Sequence, residues 1–385
     1  MQNKIIIISL FLFFALTSTA SAANRYWVGG GLTPNWDEAT LGITNWGTAS
    51  NTQDNASVPG AADDVIFDNS TNGNSPSTLS ADITINSLNM SAYTNTWTHN
   101  NTIVLTVDGN GVNFTLGSGM TYVRGGAGSR FTFSGTSGTT LITTAGHETG
   151  DVFFTGLGGS WQLQDALTVN DSINLTRGTF DANDFNVTMS DFSSSNSNVR
   201  TLAMGNGIWT LTAGNTTVWN IGTNANLTLN EESSTIKLTG TTGGTLRAFI
   251  GGSNTYNNYW SALSGSKMIS MEGSNTFNDF KIDAGVSQLF TAGTTTTVTT
   301  FTASGTTGNL VEIKSVTASA HTLTTASPQI SIDYASISYS TVTQTNTWYA
   351  GANSNDNGNN TNWIFTAPPA AAAGPNNDDF IIIIH

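Results

Sequence analysis

Few residues in this chain are equipped for acid–base or metal chemistry. The four histidines, His99, His147, His321 and His385, share no metal-ligand spacing. His147-Glu148 is followed by Thr, Gly and Asp, which breaks the H-E-x-x-H pattern of a zinc hydrolase. All four read as solvated loop residues. No G-x-S-x-G elbow stands at a strand-to-helix turn, so serine-hydrolase chemistry has no scaffold. Carboxylates are the remaining option. Glycoside hydrolysis takes two carboxyls roughly 5–9.5 Å apart, one with a raised pKa. Asp165/Asp171, Asp181/Asp184/Asp191, Glu231/Glu232 and Asp279/Asp283 are the candidate sets, with Arg177 or Lys281 as the cation a polysaccharide lyase wants nearby. Each acid sits among Asn, Gly and Ser, where Asp is favoured because its side chain bonds its own turn backbone. The structural role is the better account, and no catalytic residue is assigned.

Metal and ligand sites are equally sparse. Asn353-Ser354-Asn355-Asp356-Asn357-Gly358 echoes a calcium loop but lacks the leading carboxylate and the closing Glu that supply its charge. Asp108-Gly109-Asn110-Gly111 and Asp63-Asp64 are the other oxygen-rich clusters. Structural Ca²⁺ is the one metal such loops suit, and no cofactor or metal ligand is assigned. Tyr256, Tyr259 and Trp260 form the densest aromatic patch, one that can stack on sugar rings. The run Thr291 to Thr300 suggests a flat threonine array of the kind ice-binding solenoids use, although Thr also simply favours a solvated strand face.

The elements that must position these residues are β-strands. Ile103/Leu105/Val107, Val112/Phe114/Leu116, Phe185/Val187/Met189 and Ile236/Leu238 alternate with Thr, Asn, Ser or Gly, between turn residues. No stretch after residue 22 sustains helical spacing. The chain is therefore all-β. Its seven prolines leave the whole span from Pro76 to Pro328 empty, as strands bonded on both edges require. Gly252-Ser253-Asn254-Thr255-Tyr256-Asn257-Asn258 recurs 21 residues later as Gly273-Ser274-Asn275-Thr276-Phe277-Asn278-Asp279, a period in the solenoid range. The expected fold is a parallel β-helix (β-solenoid) with N- and C-terminal caps, of roughly 10–12 coils and ~50–60 Å. Tandem sandwiches are the competing architecture. They predict antiparallel hairpins with Asn-Gly or Asp-Gly turns, which are scarce here.

The chain divides accordingly. Residues 1–22 carry Lys4, an apolar run from Ile5 to Leu16 and Ala20-Ser21-Ala22, a secretory signal peptide. A Trp-rich cap spans 23–76, the solenoid body 77–328, closing rungs and cap 329–365, and a linker-like tail 366–385. The formal net charge is −14 over 385 residues, and only 9% are charged, against about 25% usually. No basic cluster exists to neutralise phosphates, which argues against nucleic acid as partner. With no cysteine, stability in an exported chain must come from packing alone.

Arg25-Tyr26-Trp27-Val28-Gly29-Gly30 with Asn35-Trp36, and Pro59-Gly60-Ala61-Ala62-Asp63-Asp64-Val65-Ile66-Phe67, resemble the opening of secreted bacterial β-solenoid repeat proteins, the adhesin-like and autotransporter-passenger-like surface proteins. Gly178-Thr179-Phe180-Asp181-Ala182-Asn183 and Ser274-Asn275-Thr276-Phe277-Asn278-Asp279-Phe280 are similar to their rung motif, and Asn346-Thr347-Trp348-Tyr349-Ala350-Gly351 to Asn362-Trp363-Ile364-Phe365 to their terminal unit. The resemblance implies a parallel β-helix and a bacterial surface or extracellular, structural or adhesin-like role without catalytic residues. Glycans or cell-surface components are the partners it implies, and no transmembrane span is expected in the mature chain. A carbohydrate-active β-helix enzyme or a glycan-binding module is the alternative.

Overall fold

The computed structural model describes residues 23–369, apart from 127, 213–215, 241–245 and 265–267. The expected signal peptide, residues 1–22, and most of the expected tail thus lie outside the described residues. Apart from one short 3₁₀ turn at Thr40–Gly42, the regular structure is all strand. Among the described residues, no helix is long and apolar enough to cross a membrane.

Short alternating segments fold as the pattern dictates. In Val104–Val107, Arg130–Phe133, Asp151–Phe154 and Ser172–Leu175, every second residue is buried and its neighbours face out. These four strands lie side by side in one parallel sheet, with Leu105 opposite Phe131, Phe131 opposite Val152 and Val152 opposite Ile173. The full sheet has 13 strands, running from Ile83–Ile85 to Asn355–Asp356. At ~4.8 Å per strand it is about 58 Å long. The two other long sheets have ten strands each. The first begins in the cap and ends at Leu227–Asn230; the third runs from Glu148–Thr149 to Ser340–Val342. A three-stranded sheet (Ser77–Leu79, Thr96–His99, Thr121–Arg124) precedes the third, and another (Gln329–Ser331, Thr347–Tyr349, Trp363–Ile364) closes the C-terminal end.

Among the described strands, all pair in parallel except Trp46–Gly47, which runs antiparallel against Asn24–Trp27. The molecule is a parallel β-solenoid, and the tandem-sandwich alternative is excluded. Its coils are uneven: along the 13-stranded sheet they run from 19 residues between Ile173 and Phe192 to 30 between Trp219 and Phe249, and the closing sheet has one of 15 between Trp348 and Trp363. The 21-residue recurrence marks two adjacent coils: Thr255 faces Thr276 and Tyr256 faces Phe277. Corners are tight. Gly178 has φ +75°, and a Cβ there would lie 2.6 Å from the Gly159 carbonyl oxygen of the coil below, so only glycine fits.

The interior is an aromatic spine. Ring contacts of 4.4–6.1 Å run without a break from Trp46 through Trp36, Trp97, Phe131, Phe114, Phe133, Phe154, Phe180, Trp209, Trp219, Phe249, Tyr259, Phe280, Phe301 and Trp348 to Trp363. The cap tryptophans Trp27, Trp36 and Trp46 are fully buried around Phe67. Trp219→Ala should cost about 3–5 kcal/mol in urea unfolding, the usual loss for a buried Trp. The outward Trp260→Ala should cost no more than about 1 kcal/mol; similar losses for both would contradict this division of inside from outside.

Candidate functional site

The three aromatics expected to form a sugar platform are split by the wall of the solenoid. Tyr256 and Tyr259 are 1% and 0% exposed, in the core. The strand Thr255–Ser261 has two outward residues, Asn257 and Asn258, between them instead of one, so both rings turn inward. The Tyr256 hydroxyl donates to the Gly251 carbonyl at 2.8 Å, and that of Tyr259 to Gln288 Oε1 at 3.0 Å. Only Trp260 faces out. Lys237 on the preceding coil and Lys281 on the next stand opposite it in the register. Their ammoniums sit 3.7 and 4.0 Å from its ring centroid. The indole is thus occupied by cation–π contacts, and the expected patch does not exist as a three-ring surface.

The threonine expectation is corrected in form. Thr296 is buried, and the Thr294 hydroxyl donates back to the Thr291 carbonyl at 2.7 Å, so the run itself is no array. An array arises across coils instead. Ser253-x-Thr255, Ser274-x-Thr276, Thr295-x-Thr297, Thr322-x-Thr324 and Thr341-x-Thr343 present one pair per coil on five successive coils of the third sheet. Thr255, Thr276, Thr297 and Thr324 fall in one register column, and the Thr324 and Thr343 hydroxyls meet at 3.1 Å. Thr295, Thr322 and Thr341 form the second column. The hydroxyls and methyls therefore repeat at about 4.8 Å between coils and about 6.6 Å along each strand.

The carboxylates named from sequence mostly tie turns together. Asp165 accepts the Thr144 backbone N–H at 2.9 Å, Asp181 that of Asn183 at 2.8 Å and Asp184 that of Asn206 at 2.9 Å. Asp279 accepts the Thr300 hydroxyl at 2.6 Å, and Asp283 pairs with Lys281 at 3.6 Å. Sequence reasoning missed Asp151. On the outer face of the second sheet, Arg130, Asp151, Ser172 and Asp191 succeed one another in register. Asp151 is held above the usual carboxylate range by burial, and the neighbouring Asp171 and Asp191 add to this against Arg130. Its Oδ1 accepts the Ser172 N–H at 3.0 Å, and the Ser172 hydroxyl donates to Asp191 at 2.8 Å. Arg130 lies 4.7 Å over the Phe153 ring. The upward-shifted Asp151 carboxyl is linked to Asp191 through Ser172. Among the described residues, no three His, Asp or Glu side chains gather to hold a metal ion.

Two of the histidines are not loop residues. His99 and His321 are 0% exposed, on strands. His99 Nε2 donates to the Ile103 carbonyl at 2.8 Å, leaving Nδ1 to accept from the Tyr122 hydroxyl at 3.1 Å. His321 stacks on Phe290 at 4.5 Å, with Nε2 3.1 Å from the Ser340 hydroxyl. His147 is partly exposed and reaches the Gly117 carbonyl at 2.9 Å, while His385 lies outside the described residues. The alternation Trp97-x-His99 and His321-x-Leu323 was the signal that could have placed the two buried ones. Neither is near a carboxylate partner that would make it a base.

No family model, curated protein or solved structure matches the chain.

Burial pulls the His99 pKa down to about 4 and that of His321 to about 3. Both rings are neutral when folded and take a proton on unfolding. Their stabilisation is therefore complete above pH 6.5, the ordinary value, and drains away as pH falls toward the folded values. His99 accounts for about 3 kcal/mol of this. Urea midpoints at pH 7.5, 5.5 and 4 should fall less steeply for His99→Gln than for the parent chain; parallel declines would overturn the assignment.

Proposed function

We propose that this chain is an exported, non-enzymatic rod that acts at a bacterial surface or in the medium through its shape and through what its faces display. The carrying observation is the spine of ring contacts that joins cap to cap inside continuous parallel ladders. Such a body resists bending, and its 13-stranded sheet leaves a free edge only at its two ends. The outward positions are free of that duty. They hold Thr, Ser, Asn and Asp, with the few cations mostly paired: Arg25 with Asp63 at 3.6 Å, Arg124 with Glu148 at 3.3 Å and Lys314 with Glu312 at 2.7 Å. The apolar N-terminal run supports export, and the resemblance to adhesin-like solenoids supports a structural role at the surface. In intact cells expressing the full gene, antibody should label the chain externally, and the mature form should begin near residue 23. Accumulation of unprocessed chain in the cytoplasm would refute the reading.

The five-coil Ser/Thr-x-Thr array favours a second reading, in which this face of the third sheet holds ordered water and binds ice. Its hydroxyl and methyl groups are uncharged and repeat in two dimensions. Ice recrystallisation should be inhibited by the mature chain and not by a Thr297→Lys/Thr324→Lys double variant. Equal inhibition, or none by either protein, would remove this reading and leave the rod untouched.

A further inference from the structure

The first sheet carries a recess that no sequence motif announces. It has a volume of about 580 Å³ and lies on the outward side of the strands Asn24–Trp27, Asp64–Ile66, Ser87–Asn89 and Asn113–Thr115. These strands are consecutive neighbours in the parallel part of the sheet. Their alternate residues Val65, Leu88 and Phe114 are buried in the core, so what faces the recess is the polar half of each strand.

We propose that this recess binds a neutral oligosaccharide laid along the rod axis. The chemistry of the lining narrows the ligand. No Lys, Arg or His lines it, so phosphate, sulfate and uronate groups find no countercharge, and the one carboxylate, Asp64, repels them. A single carboxylate among amides is too little charge to hold a divalent cation. Ile66 and Val112 are its only aliphatic walls, too few for a lipid chain. What remains is a dense set of hydrogen-bonding groups with spare capacity. Asp64 Oδ1 is engaged by the Asn86 amide at 2.6 Å and by the Ser87 hydroxyl, which orients the carboxylate and leaves Oδ2 as an acceptor. The same contact leaves Asn86 Oδ1 open. Asn89 Oδ1 accepts the Ser91 N–H at 3.0 Å and its hydroxyl at 2.8 Å, leaving the Asn89 Nδ2 to donate. Among the described residues, the side chains of Asn113 and Thr115 make no hydrogen bond.

Amides and hydroxyls that both donate and accept match sugar hydroxyls, which do the same. The repeat matters as much as the groups. One set recurs on each coil at ~4.8 Å, close to the advance of one sugar unit in an extended chain, so three or four units can each meet a coil. Tyr26 stands beside the recess, next to its wall residue Ile66. It is half-buried, pairs in register with Ile66, and its hydroxyl is 3.3 Å from Asn24 Nδ2. A ring of this kind covers the C–H face of a pyranose. The volume is within the range of small-molecule sites, and its open form suits a chain entering from either end.

The site goes beyond the display role, and its test reads binding alone, so failure here would leave the rod reading standing. Mature full-length chain is titrated calorimetrically with cellohexaose, xylohexaose, mannohexaose, laminarihexaose and maltohexaose, with hexagalacturonate as the acidic arm. One or more neutral hexaoses should bind at submillimolar Kd, and Asn113→Ala/Thr115→Ala should weaken that binding at least tenfold with an unchanged unfolding midpoint. Asp64→Asn, which keeps the shape of the side chain, should weaken it as well, while Trp260→Ala should not. No binding by any neutral hexaose, tighter binding of hexagalacturonate, or binding indifferent to all three recess substitutions would each overturn the proposal.

Discussion

The hydrogen-bond ladder between successive coils governs this molecule. Along each strand alternate residues bond to the coil before and the coil after, each giving both its N–H and its carbonyl to the same neighbour, in parallel and in register. Side chains alternate with a period of two, so a slip of one residue in any coil would push its rings into water and its threonines into the core. Along the 13-stranded sheet, coils of 19 to 30 residues keep their strands in register apart from one bulge between Thr217 and Trp219, so nearly all variation in length is expelled into the corners. There it must be satisfied locally. Arg200 shows how: only 1% exposed, it donates to the carbonyls of Ser194, Asn198, Thr223 and Ala225 and so fastens two corners of adjacent coils. A buried cation is tolerated because carbonyl dipoles surround it.

A ladder that templates its neighbour must also be stopped. At the N-terminal end, Trp46–Gly47 turns antiparallel and covers the outer edge of Asn24–Trp27, a pairing that cannot propagate the parallel register. The indoles behind it are anchored by their N–H groups: Trp36 donates to the Ser77 hydroxyl at 2.6 Å and Trp46 to the Trp36 carbonyl at 2.8 Å. At the other end Trp363 donates to the Ser340 hydroxyl at 3.0 Å, the group that also meets His321. The closing indole is thereby coupled to a buried imidazole, so acid reaches the C-terminal seal through the same proton that destabilises the core.

The fold was legible because a parallel ladder imposes local rules on every coil. Leu105/Val107, Phe131/Phe133 and Phe180/Ala182 alternate as strands must, and the 21-residue recurrence is the coil itself. Face assignment was legible only where alternation is strict. Between Tyr256 and Tyr259 the strand bends and two residues point out together, and sequence offers no mark of that bend. Hence Tyr256 and Tyr259 were expected outside and lie within, and only Trp260 faces out. The buried histidines were misplaced for the opposite reason: the alternation around them was clear, but a titratable ring in a core needs partners such as Ile103 and Tyr122 that only the fold brings near. Asp151 was missed because its neighbours, Asp171 and Asp191, come from two further coils of differing length.

The division of labour between the two sides of each strand explains why surface chemistry can change so freely along one rod. The inward positions are bound by ring packing and tolerate little. The outward positions touch mainly their counterparts one coil away, so a change there is felt over a single ~4.8 Å step. Three unlike surfaces therefore coexist on one scaffold: an amide-lined recess over the first coils, an Arg–Asp–Ser–Asp column on the second sheet, and hydroxyl columns over the last coils of the third. Each is a column because the register aligns equivalent positions, and each ends where the next coil places a different residue. Lys237, Trp260 and Lys281 show the limit of such a column. Three coils suffice to sandwich one indole between two cations, and the residue opposite Lys281 on the next coil is Thr302, with which the charge ends. Function on such a body is thus a property of which residues share a column, and it is set by coil length at the corners as much as by the residues themselves.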